Sequence, residues 1–198
     1  MPMRISGVVA MLAMAGTGAW GRLPEPSRQL TLCMENLTGS AVQIVQEARS
    51  IASGIFAAIG VKIRWQGPFN CPSEAIYLSW SRESSATVLP GALAYAMPYE
   101  GRHIIVFLDR VKDMAPFASG RLLGYTLAHE ITHILEGVVR HSDSGIMKAR
   151  WELHDRYLMR QGRLGFAAED VNLLYRGLDE RQSGLAGLAA SASDPRKE

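Results

Sequence analysis

Two histidines four residues apart inside an apolar run, His129 and His133, restrict this chain more than any other feature. Leu123, Leu127, Ile131, Ile134 and Leu135 recur at helical spacing, which predicts a helix from about Arg121 to Glu136 with one apolar stripe. Ser119 is a candidate cap and Gly137 a natural stop. Residues i and i+4 project from one face of a helix, so both imidazoles can reach a single ion. Glu130 lies about 100° around the axis, away from the ligand pair but able to reach a water beside it. Two ligands with a general base between them are the parts of a hydrolytic zinc site. Zinc also needs a third protein ligand and an open position. His141 is the leading candidate, because Gly137 lets the chain turn back toward the helix. The carboxylates of Asp143 and Glu152 are the alternatives. His103, before a β-prone run, and His154, on a later helix, read as structural or exposed.

The rest of the chain supplies strands before this helix and helices after it. Leu30–Met34 alternates as a strand, and Val42–Ile59 has helical spacing ended by Gly60. Val61–Trp65 and Ala75–Trp80 are further strands. Gly91–Met97 is a short one whose following Pro98 suits a sheet edge. His103–Leu108 is nearly continuous in apolar residues, which predicts burial on both faces. Helices are expected again through Trp151–Gln161 and Ala167–Leu178. The order strand, helix, four strands, then helices predicts an α+β fold with an α/β-type N-terminal half.

Export is the second expectation. Arg4, the apolar run Ile5–Ala15 and the small residues Gly16 to Ala19 have the pattern of a signal peptide over residues 1–19, cleaved near Ala19. A Pro-containing linker, Arg22 to Arg28, then leads into a catalytic domain over 20–180. Residues 181–198, rich in Gly, Ala and Ser with a charged end, read as a disordered tail. A secreted or periplasmic location is oxidising, so the two cysteines, Cys33 and Cys71, are expected to be bridged. The net charge of +2, carried by scattered Lys and Arg, argues against a nucleic-acid partner. No run after the N-terminus approaches the roughly 20 apolar residues of a membrane span. A monomer is expected.

Three segments carry a family resemblance. Leu93–Pro98 followed by Ile104–Asp109 is similar to the edge and central strands that precede the active-site helix in matrix metalloproteinases. The stretch His129 to His141, ending in His141-Ser142, resembles the extended zinc motif, and Ser144-Gly145-Ile146-Met147 resembles a Met-turn. From Gly91 onward the chain thus resembles the metzincins. Two departures stand out: the segment from His133 to His141 is two residues longer than the family pattern, and Ala149 occupies a position where astacin-like members have Tyr. No cysteine-containing prodomain motif is present.

The resemblance implies a twisted, mixed five-stranded sheet with a backing helix, an active-site helix and a mainly helical C-terminal subdomain. It implies one Zn2+ held by His129, His133 and His141, Glu130 as general base, and Met147 packed beneath the site. A peptide or protein substrate would pair with the edge strand Leu93–Met97, consistent with the unpaired backbone groups of a sheet edge. The expectation is a secreted zinc endopeptidase. Its alternative is a catalytically inactive, exported zinc-binding interaction module, against which the intact Glu130 argues.

Overall fold

A computed structural model describes residues 28–37, 41–81 and 91–192, with side chains to residue 184. The expected signal peptide and nearly all of the linker lie outside the described residues, as do residues 193–198 of the expected tail.

Strand β1 (Arg28–Met34) leads into helix α1 (Ala41–Ala57) and strand β2 (Val61–Gln66). Strands β3 (Ile76–Ser81), β4 (Ala94–Ala96) and β5 (His103–Phe107) follow. Then come helices α2 (Leu108–Met114), α3 (Ser119–Glu136), α4 (Leu153–Arg160) and α5 (Ala168–Ala192). The strands form one sheet in the order β2-β1-β3-β5-β4. Four are parallel, and β4 alone runs antiparallel, paired with β5 at the edge. The fold is therefore α+β, as the pattern of elements implied, with the mixed five-stranded sheet that the resemblance implied.

Burial explains the arrangement. Parallel strands must be covered on both faces, and Leu32, Ile76, Leu78, Ile104 and Val106 are fully buried. Helix α1 buries Val45, Ala48, Ala52 and Phe56, spaced at three and four, and it lies against both β2 and α3. The α1–α3 approach is close because α3 carries glycine where they meet. A Cβ at Gly124 would stand 2.7 Å from the Ile51 side chain and 3.1 Å from the Ala48 carbonyl. The C-terminal helix α5 buries Leu174 and Leu178 and is pressed so near α3 that a side chain at Gly177 would strike the Leu135 carbonyl.

Several local expectations change. Leu108 does not end a strand but starts α2, which buries Leu108 and Val111 on one face. Helix α3 begins at Ser119, whose hydroxyl donates to the Ala115 carbonyl (2.8 Å) while Ala118 holds the cap position. Within the expected tail, the described backbone is helical past Arg181 to Ala192. Its alanines are the strongest helix formers, and that propensity outweighs the scattered Gly and Ser. Cys33 and Cys71 form a disulfide across a sequence separation of 38. No described helix is long and apolar enough to cross a membrane.

Candidate metal centre

Helix α3 is buried along nearly its whole length, so its polar groups must be satisfied within it. Thr126 and Thr132 do this locally, donating to the carbonyls of Leu122 (3.0 Å) and Ala128 (2.8 Å). The two histidines instead turn toward each other, and their Nε2 atoms stand 3.0 Å apart. His129 Nδ1–H donates to the Ile146 carbonyl at 2.9 Å. That bond fixes the tautomer and leaves the Nε2 lone pair facing the site.

His141 arrives from the loop after α3. Its ring lies nearly parallel to that of His129, with centroids 5.3 Å apart, and edge-on to that of His133 at 5.1 Å. One ligand nitrogen from each of the three lies within 4.8 Å of the others. Ligand bonds of 2.0–2.1 Å in a tetrahedron place donor atoms roughly 3.3 Å apart. The His129–His133 spacing is of that size, so this donor set fits a zinc ion. Electrostatics agree. Burial holds the pKa of His129 down to about 4 and that of His133 to about 3, and burial with the neighbouring Arg140 also lowers that of His141. At neutral pH the three rings are therefore uncharged, the form that binds metal.

Glu130, half-buried on α3, faces the edge strand. Burial raises its carboxyl pKa to about 7, and a hydrogen bond from the Ala96 backbone of β4 acts in the opposite direction. Its carboxyl group is thus adjacent to the strand expected to receive a substrate, with a proton affinity close to neutral pH.

The floor of the site is a tight turn. Gly145 has φ 76°, and a Cβ there would stand 2.6 Å from the Gly165 carbonyl. That carbonyl accepts the Ile146 N–H (3.0 Å), while the Ser142 N–H donates to the Met147 carbonyl (2.9 Å). Met147 is fully buried. Trp151 Nε1–H also donates to the Ile146 carbonyl, at 3.1 Å, and its ring meets His129 edge-on at 5.8 Å.

Of the alternative ligands, Asp143 is exposed, and the Glu152 carboxylate accepts Lys148 Nζ at 3.3 Å beside α4. Neither joins the histidine cluster. His103 pairs with Glu100, and His154 is exposed on α4. Sequence reasoning missed the polar residues that hold the His141 loop. Arg140 bridges Glu136, at the end of α3, and the buried Asp170 of α5, and Ser142 Oγ donates to the same Asp170 oxygen. It also missed Trp151. The residue types flanking His141 were visible, but nothing in the sequence joins them to Asp170.

No family model matches the chain, and no curated protein matches it in sequence. Among solved structures, it is similar to an archaemetzincin from Methanopyrus kandleri, with a TM-score of 0.53 at 18% identity. The likeness covers 79% of this chain and 99% of that one. It shows a shared fold.

Proposed function

We propose that this protein is an exported zinc-dependent endopeptidase, with His129, His133 and His141 as the metal ligands and Glu130 as the general base. The observation that carries the reading is the convergence of three neutral imidazoles within 4.8 Å beside a carboxyl group whose pKa lies near 7. When bound, zinc polarises the scissile carbonyl and brings the pKa of water toward neutrality. Glu130 takes a proton from the attacking water and then delivers it to the leaving amine. His129 is kept in register by the Ile146 carbonyl behind it, and Met147 supports the same turn by packing.

Substrate orientation follows from the sheet. Among the described residues, strand β4 pairs with β5 on one side only, so its other side offers backbone groups to an extended peptide running along Leu93–Met97. Ala96 lies on that strand and also touches Glu130, which would set the scissile bond next to the base. Export is supported by the Cys33–Cys71 disulfide, since such bonds persist in oxidising compartments.

The test is incubation of the purified protein with a broad peptide library, with and without a chelator, alongside metal analysis. About one zinc per chain and chelator-sensitive cleavage are expected. Stoichiometric zinc with no cleavage of any peptide would favour the inactive binding module instead.

A further inference from the structure

His129 and His133 are held by a buried helix, whereas His141 is exposed and sits on a loop without regular structure between residues 137 and 142. The residues on either side of it are fixed, and by the same group. Arg140 Nη2 and Ser142 Oγ both donate to Asp170 Oδ1, and Arg140 Nη1 donates to Ser142 Oγ at 3.1 Å. Arg140 also reaches back to Glu136 Oε1 at 3.2 Å, so the loop is tied to the end of the helix that carries the other two histidines. Asp170 is fully buried in the first turn of α5.

We propose that Asp170 is a positioning residue for the third metal ligand, acting through Arg140 and Ser142 on the backbone on both sides of His141. This role rests on the zinc-site reading above. Stability alone is a poor reason for the cluster, because apolar residues of similar size commonly hold two helices together as well as buried charges do. Among the described residues, Asp170 Oδ2, Arg140 Nε and Glu136 Oε2 are buried without a protein hydrogen-bond partner. What a carboxylate and a guanidinium supply that apolar packing does not is direction, through hydrogen bonds of defined geometry. The segment from His133 to His141 carries two more residues than the metzincin pattern, and a longer loop has more conformations to be restrained.

The experiment measures zinc affinity by chelator competition, and the visible absorption of the Co2+-substituted protein, for the wild type, Asp170→Asn, Ser142→Ala, His141→Ala and each of the first two variants combined with His141→Ala. If Asp170 acts through His141, Asp170→Asn weakens zinc binding about ten- to a hundredfold and lowers the tetrahedral Co2+ band. Ser142→Ala shifts both readouts in the same direction by less. With His141 already removed, neither substitution has a further effect beyond about twofold, because the cycle isolates the shared interaction. Wild-type affinity and spectrum in folded Asp170→Asn, or an equal loss with and without His141, overturns the role. Should Asp170→Asn not fold, Ser142→Ala in the two backgrounds makes the same comparison, and equal affinities overturn it. A wild-type chain that takes up no zinc overturns the metal-site reading itself and the positioning role with it. Zinc binding without coupling to His141 overturns the positioning role alone.

Discussion

His129 and His133 face each other with Nε2 atoms 3.0 Å apart, while the Ile146 carbonyl holds His129 from behind at 2.9 Å. The helix and the turn together set the pair. Both rings are buried in their neutral form, well below the ordinary pKa of 6.5. In the metal-free protein this has a consequence for stability. Between about pH 6.5 and about pH 3 the unfolded chain binds protons that the folded chain refuses, so stability falls as pH drops through that window and levels off below it. Urea melts of the apoprotein should lose more stability between pH 7 and pH 5 than melts of His133→Gln. Equal losses would contradict the buried neutral pair.

On the proposed mechanism, Glu130 sets the acid side of the rate profile. Its pKa is about 7 without metal, and a dication nearby favours the ionised carboxylate and lowers that value. The base works only when ionised, so kcat/KM should rise with pH through a limb lying below 7. A pH–rate profile on a neutral peptide checks this, and a rate that climbs as pH falls would be incompatible with the assignment.

The turn beneath the site distinguishes two glycines. Gly145 has φ 76°, with the Gly165 carbonyl 2.6 Å from where a Cβ would lie, whereas Gly137, at φ 69°, opens onto free space. Gly137→Ala should cost about 1–2 kcal/mol, the penalty of the left-handed conformation alone. Gly145→Ala adds a clash with backbone and should cost roughly 3 kcal/mol or more. Denaturant midpoints of the two variants measure the difference, and equal losses would sink the turn geometry.

The disulfide closes a loop across 38 positions, for which the chain-entropy model gives about 4 kcal/mol of stabilisation. Cys71→Ser tests this in a reducing-agent-free urea melt, and a loss under about 1 kcal/mol would contradict the expected restriction of the unfolded chain.

Helix α3 was legible in the sequence because everything that defines it is local: the apolar stripe, the His spacing and the stop at Gly137. The strands were legible by period and by the β-branched run at His103–Phe107. Helix α2 was hidden because Leu108 continues that run, and only the burial of Leu108 with Val111 separates helix from strand. The helix beyond Arg181 was hidden by Gly and Ser among its alanines. Asp170 was unreadable for a different reason. It lies thirty residues from Arg140, and their meeting depends on α5 seating against α3 where Gly177 faces the Leu135 carbonyl. Such a contact is a property of tertiary packing, with no local pattern to announce it.

The central claim is hydrolysis by Glu130 at a three-histidine zinc site, and Glu130→Ala tests it most directly. Wild type and variant are brought to equal zinc content and compared for peptide cleavage under single-turnover conditions. The expected result is an unchanged zinc stoichiometry and fold with a rate lower by about 10²–10⁴, the usual contribution of a general base. Cleavage at the wild-type rate by the zinc-loaded variant would contradict it.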